Sequence, residues 1–391
     1  MMSDKWQLIG GHQSPYVAKV RAYLRFRHIA FEEILPSKAF YKTVIVPRTG
    51  AAFIPVLHDS DKDTYVAESS EILDYCEDQL QASRTKMISI HPYTCNQRLV
   101  SYLIELFVDE WAGIYSNRWA NVAAGGENFE FLRVEWGQMM APEERDATKL
   151  EQILQRSVFG NAKAMAAGTG TTPEMAPVLE SRFTALCQAL DTHFRDYEYL
   201  LGSTPCLGDF ALVGILYCWF RDPHPGTRLT RTYHYLRSYV ERCHQGSVRP
   251  AEGFLCTGAG RSFLPDDAIP PSVIRILEIF FEDCVPYLNY CIKCALLWKD
   301  TKGKSHSGHL PRGMGFVPYS IGGFTGKRGA SFYVLLRLQR ALDALDASAT
   351  SFLERFPNGR ILARLKEDAQ EVRIEHESGR FYQCYFSASK L

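Results

Sequence analysis

A proline stands in the middle of an apolar run, Phe53-Ile54-Pro55-Val56-Leu57, and it restricts the fold more than any other single residue. Proline has no backbone N–H, so it cannot donate to a strand ladder. It must lie on an edge strand, at a bulge or in a cis bond. Around it the chain alternates short strand and helix patterns. Trp6 to Gly10 is an apolar run closed by Gly10-Gly11, the pattern of a buried strand. Pro15 follows where a helix can start, because the missing N–H is an orphan there in any case. Val17, Val20 and Leu24 then recur at the spacing of one buried helix face. Ala30 to Leu35 is strand-like again, and Pro36 to Ala52 is looser. The proline run and Thr64-Tyr65-Val66-Ala67 flank a turn at Asp59 to Asp63, which predicts a hairpin. Leu73, Cys76 and Leu80 mark a helix. The order is β-α-β, a connector, then β-β-α.

From about residue 84 the texture becomes helical. Leu99, Leu103 and Leu106 share one face of a long helix that is expected to run on to Trp119. Phe183, Leu186, Leu190 and Phe194 do the same further along. Ala166 to Pro177 reads as a loop, and Pro205 to Phe220 as a short apolar helix. Gly246 to Pro271, rich in Gly and Pro, reads as a boundary. A helical pair is expected around Val273 to Lys299 and Ser331 to Phe356. The chain closes on a β-hairpin, Glu371 to His376 and Phe381 to Tyr385 about a Ser378-Gly379 turn. At roughly 100–200 residues per domain, 391 residues make two or three domains. The expected division is 1–83, 84–250 and 251–391.

Composition excludes several classes. Hydrophobic residues at 46 % and aromatics at 13 % rule out a disordered chain. Forty-four basic residues balance forty-four acidic ones, so no overall charge draws the chain to nucleic acid or an anionic membrane. No apolar run approaches the ~18–20 residues of a membrane span. Eleven cysteines, an odd number in apolar surroundings, suit reduced thiols rather than a disulfide framework. The first residues lack the layout of a secretory or transit signal. A cytoplasmic protein is expected.

Two helix starts frame the proline. Ser14-Pro15 sits between the first strand and first helix, and Glu68-Ser69 between the last strand and its helix. Both offer free N–H groups and the positive end of a helix dipole, which suits a thiolate or carboxylate. Taken together, residues 6–80 resemble the thioredoxin-like N-terminal domain of the glutathione transferase superfamily. Ser14-Pro15-Tyr16-Val17-Ala18-Lys19-Val20-Arg21 resembles the active-site turn of its serine-using classes. Phe53-Ile54-Pro55-Val56-Leu57 resembles the strand carrying a cis-proline, and Glu68-Ser69 the pair that holds the γ-glutamyl end of glutathione. Residues 84–245 resemble the family's all-α domain, with Cys206-Leu207-Gly208-Asp209-Phe210-Ala211-Leu212 as its capping motif. Tyr41 to Leu57 and the tail past residue 255 are similar to a long-chain bacterial branch.

The resemblance implies an α/β thioredoxin-like domain, an all-α helical domain and a mostly helical C-terminal region ending in a β-hairpin. It implies a glutathione transferase with glutathione as co-substrate, a small electrophile or peroxide as second substrate, and no bound cofactor or metal. Ser14 would donate a hydrogen bond to the glutathione sulfur. The Ile54 backbone before Pro55 would pair with the tripeptide, and Glu68 and Ser69 would bind its amino and carboxylate end. Tyr16, Tyr115 and Trp119 would line the electrophile pocket. A homodimer or a place in a larger assembly is implied. Phe53 stands where serine-using members often carry a lysine, and Cys206 where they prefer Ser or Thr. Those departures, with the long tail, are the marks of the alternative: a non-catalytic scaffold or interaction subunit on the same fold.

Two further patterns mimic known sites. Cys291-x-x-Cys294 with His306-x-x-His309, and Cys284 nearby, approaches a zinc layout with short gaps, but the cysteines fall in an apolar helical stretch. Ile321-Gly322-Gly323-Phe324-Thr325-Gly326-Lys327-Arg328-Gly329 has glycines and a lysine. It lacks the first glycine and following Ser or Thr of a phosphate-binding loop. It reads as a tight loop before the helix near Ser331.

Overall fold

The computed structural model describes residues 6–50, 52–82, 87–156, 159–246, 261–301, 313–377 and 380–384, the last eight of these as backbone alone. Four strands, β1 (Trp6–Ile9), β2 (Phe31–Ile34), β3 (Val56–Asp59) and β4 (Thr64–Ala67), form one sheet in the order β2-β1-β3-β4. β1 and β2 are parallel; β3 and β4 run antiparallel to their neighbours. Helix α1 (Pro15–Phe26) makes the crossover between the parallel pair and buries Val17, Val20 and Leu24, the face the spacing predicts. Helix α2 (Ser69–Ala82) follows β4. This is the thioredoxin-like arrangement expected. The looser stretch holds short helical turns between Lys38 and Thr49. β3 starts at Val56, so Pro55 stands just outside the ladder, where a missing donor costs nothing.

The helical region includes α3 (Cys95–Glu110), α4 (Ala176–Asp196), α5 (Leu207–Arg221) and α6 (His234–Gln245). α3 ends at Glu110, short of Trp119. Trp111 there has φ −126° and starts a 3₁₀ turn, and a separate helix covers Arg118–Ala123. The stretch expected as a loop, Ala166 to Pro177, holds the last turn of a helix, Ala162–Thr169, then a 3₁₀ turn at Pro173–Met175 and the start of α4. α5 lies directly on α1. A Cβ on Gly214 would come within 2.5 Å of the Pro15 carbonyl oxygen, so only glycine permits this approach. Asp209 secures the start of α5. Its Oδ2 accepts from the Cys206 N–H at 2.9 Å and its Oδ1 from the Leu200 N–H at 3.0 Å. The Cys206 thiol points back to Asp209 Oδ2 at 3.3 Å.

Past the boundary come α7 (Pro271–Asp283) and α8 (Val285–Thr301), where the sequence suggested one helix. Between α8 and helix α9 (Phe332–Asp343) lies an unexpected hairpin, β5 (Gly313–Ile321) and β6 (Phe324–Ser331). The glycine-rich stretch read as a loop forms its tip. Gly322 and Gly323 have φ of 54° and 86°, a two-residue turn open to glycine. Helices at Ala347–Leu353 and Gly359–Gln370 lead to the closing hairpin of β7 (Ile374–Glu377) and β8 (Arg380–Cys384). One hydrophobic cluster runs through all of this, from Leu8 through Leu103 and Leu216 to Leu338 and Leu365. No helix among the described residues is long and apolar enough to cross a membrane.

Candidate functional site

The strand register explains how three distant turns meet. Ile9 of β1 pairs with Val56 of β3, and Val56 pairs with Ala67 of β4. These residues form one row across the sheet. Pro55 precedes Val56 and Glu68 follows Ala67, while the turn after Ile9 leads to Ser14. The loops bearing Ser14, Pro55 and Glu68 therefore leave the same end of the sheet.

Each turn has a distinct local conformation. Ser14 is the N-cap of α1, with φ −91° and ψ 122°, and its Oγ accepts from the Val17 N–H at 3.4 Å. The hydroxyl is half-buried, and among the described residues its hydrogen has no acceptor. The Ile54-Pro55 bond is cis. Glu68 has φ +78°, a left-handed conformation that costs a non-glycine residue of order 1 kcal/mol or more and tends to mark functional turns. Its Oε1 accepts from Ser69 Oγ and the Ser70 N–H, each at 3.4 Å. Ser69 is buried.

Behind these turns lies a buried network of charge. Lys19 Nζ reaches Glu105 Oε1 at 2.6 Å, Asp109 Oδ2 at 2.8 Å and Ser70 Oγ at 3.2 Å. Burial alone would lower the Lys19 ammonium, but Asp109 and Glu105 outweigh it and hold it above its ordinary value. Burial likewise opposes the charge on Glu105, yet Lys19, Arg340 and Arg337 bring its carboxyl down to about 2. Sequence reasoning missed the other cation. Arg337 of α9 donates from Nη2 to Glu68 Oε1 at 2.7 Å, from Nε to Asp109 Oδ2 at 2.9 Å and from Nη1 to Glu110 Oε1 at 2.8 Å. Its side chain is 3 % exposed. Burial pushes Glu110 up to about 7 against the pull of Arg337, with Asp109 and Glu68 adding to the rise. A signal was present: Arg337 falls on the face of α9 with Val334, Leu338 and Ala341. An arginine on an apolar face needs carboxylates around it.

The residues expected to line an electrophile pocket are placed differently. Tyr16 donates to the Asp109 carbonyl oxygen at 2.8 Å and so ties α1 to the end of α3. Tyr115 is 2 % exposed, donates to Asp283 Oδ2 at 2.6 Å and accepts from Trp111 Nε1 at 3.1 Å. It is a core residue, because its hydroxyl satisfies a buried carboxylate. Trp119 packs into a separate small core with Val122, Leu132, Leu154 and Phe159. Cys291 and Cys294 lie in α8, and Cys284 is buried; His306 and His309 fall outside the described residues. Among the described residues no group of three or more metal-ligating side chains is close enough to hold an ion.

Residues 8–84 match the glutathione S-transferase N-terminal domain. That segment, and no other part of the chain, is similar to the N-terminal domain of glutathione S-transferases by this match. Solved structures resemble the chain more loosely. The beta-etherase LigF of Sphingobium sp. strain SYK-6 is 18 % identical over 61 % of this chain and 94 % of its own, with a TM-score of 0.42. Glutathione transferase GSTFuA3 of Phanerochaete chrysosporium is 12 % identical over 63 % of this chain and 99 % of its own, with a TM-score of 0.42. The glutathione S-transferase CsGST63524 of Ceriporiopsis subvermispora, solved in complex with glutathione, is 15 % identical over 64 % and 100 %, with a TM-score of 0.39. No curated protein matches the chain. Arg337, which bonds Glu68 of this segment, lies 269 residues further along the chain and outside the matched residues.

Proposed function

We propose that the chain is a glutathione transferase-like enzyme, in which the glutathione thiolate attacks a small electrophile or a peroxide. The observation that supports this most is the single sheet row Ile9–Val56–Ala67, which carries Ser14, the cis Ile54-Pro55 bond and Glu68-Ser69 to one end. Ser14 accepts a backbone bond at its oxygen and keeps its hydrogen to donate to the ligand sulfur. The N-terminus of α1 adds partial positive charge beside it. Both favour the thiolate, lowering a thiol pKa from its usual ~8.5. With a carbon electrophile, the sulfur–carbon bond forms as the leaving group departs with its electron pair. The protein's share is the thiolate population and the alignment of two reactants. Glu68 Oε2 and Ser69 would take the amino and carboxylate end of the tripeptide.

One observation favours a second reading, a non-catalytic scaffold or interaction subunit. Arg337 already compensates the Glu68 carboxylate through Oε1, so much of the charge that would attract a ligand ammonium to Oε2 is met within the protein. Calorimetric titration of glutathione into the full chain, followed by a conjugation assay with a generic aromatic electrophile, separates the two. Binding with turnover supports the enzyme. Absence of binding gives the case to the scaffold.

A further inference from the structure

A second concentration of charge lies along α1, α5 and α6, apart from the glutathione end. Tyr217 of α5 stacks on His244 of α6 with ring centroids 4.2 Å apart and planes within 14°. The guanidinium groups of Arg21 and Arg221 each lie 5.5 Å from the Tyr217 ring centre. Beside this stack is a cavity of about 190 Å³ whose lining includes Tyr217, Arg221, Thr230, Arg237, Glu241 and His244.

The hydrogen bonds fix the state of His244. Arg25 Nη1 lies 2.7 Å from His244 Nε2, and a guanidinium can only donate, so Nε2 accepts. The neutral ring therefore carries its hydrogen on Nδ1, a buried atom with no acceptor among the described residues. Burial, then Arg25, Arg21 and Arg221, push His244 down to about 3, in keeping with a neutral ring. Arg21 is 1 % exposed; its Nε and Nη2 serve Glu33, while its Nη1 is buried without an acceptor. Burial and Arg21 also lower Arg25.

The charges do not cancel. Arg21 is paired with Glu33 and Arg221 with Glu135, the latter at 3.0 Å. Arg25 and Arg237 have no carboxylate partner among the described residues, and Glu241 is the remaining acid on the cavity wall. Positive charge is in excess, and donors without acceptors are buried beside it. An acceptor-only, negatively charged ligand answers both conditions. Four side chains of the lining can donate, Arg221, Arg237, His244 and the Thr230 hydroxyl. Several donors suit the three or four oxygens of a tetrahedral oxyanion better than the two of a carboxylate.

We propose that this cavity binds a phosphate-class oxyanion, free or as the terminal group of an organic phosphate, through His244 Nδ1–H, Arg237 and Arg221. The test is calorimetric titration of the full chain with inorganic phosphate and with phenyl phosphate, against sodium chloride at equal ionic strength to remove simple screening. Saturable binding is expected, weakened about tenfold or more by Arg237→Gln, the loss of one charge-assisted hydrogen bond. His244→Phe keeps the stack on Tyr217 and removes the Nδ1 donor, and should weaken binding likewise. Arg237 is exposed, so its variant is not expected to disturb folding and carries the test if the His244 variant does. Tighter binding of phenyl phosphate assigns an organic phosphate, and equal or weaker binding assigns free phosphate. No saturable binding of either probe, or undiminished binding in Arg237→Gln, overturns the proposal.

Discussion

Arg337 meets three carboxylates with one buried guanidinium, and its removal leaves Glu68, Asp109 and Glu110 crowded and partly uncompensated. Breaking a buried ionic cluster from one side is among the costlier single changes. Arg337→Met is expected to lose about 3–5 kcal/mol in urea unfolding, and a loss under about 1 kcal/mol would contradict the role given to it. Glu110 carries the pH signature of the cluster. Its carboxyl is raised to about 7 in the folded chain, whereas an unfolded glutamate ionises near ~4.3. Between those values the folded state binds the extra proton, so this group lowers stability as pH rises, by on the order of 3 kcal/mol in all. Glu110→Gln keeps an oxygen for Arg337 Nη1 and removes that slope. Relative to wild type the variant should gain stability at pH 8 compared with pH 5. An equal difference at both pH values would place the Glu110 proton elsewhere.

At the level of elements, what was legible in the sequence follows from how local each signal is. The Val17-Val20-Leu24 spacing, the pre-strand Pro55 and the Cys206–Asp209 motif each act within a few residues of themselves, and each was readable. The β5–β6 hairpin was not, because its two-glycine tip beside Lys327 reads as a loop and its strands are rich in glycine. The early end of α3 was hidden because apolar periodicity continues past Trp111. In the candidate site, Ser14, Pro55 and Glu68 were legible through local motifs. Arg337 was not, since nothing in its own helix names a partner 269 residues away. The contact of α5 with α1 depends on one missing side chain. Gly214→Ala would set a methyl 2.5 Å from the Pro15 carbonyl oxygen, immediately after Ser14. It should cost about 1–3 kcal/mol and disturb the Ser14 turn, readable as a thermal shift together with weaker glutathione binding. A variant as stable as wild type would mean the helices separate freely.

Across the whole molecule, the C-terminal region behaves as part of the core. α9 lies along α3, Arg337 neutralises its acidic end, and Arg328 of β6 donates to the Thr169 carbonyl oxygen at 3.1 Å and to that of Glu110. The Phe53 ring meets Tyr333 edge-on at 6.3 Å, so the region also reaches the loop before the cis-proline. A chain ended after Gly246 would expose the apolar surface that Leu338 and Leu365 now cover and strand the Glu68–Asp109–Glu110 cluster. Such a truncation is expected to aggregate or lose cooperative unfolding. A soluble, cooperatively folded fragment would show that the helical region closes its own core.

Glutathione titration into wild type, Ser14→Ala and Glu68→Gln tests whether Ser14 and Glu68 serve one thiol site at the end of the sheet. Saturable binding to wild type is expected, with an affinity within about twofold in Ser14→Ala, whose hydroxyl acts chiefly on the thiolate and hence on turnover. Glu68→Gln, which removes a charged contact, is expected to bind about tenfold more weakly or worse. No heat of binding in wild type, or equal affinity in Glu68→Gln, would contradict that single site.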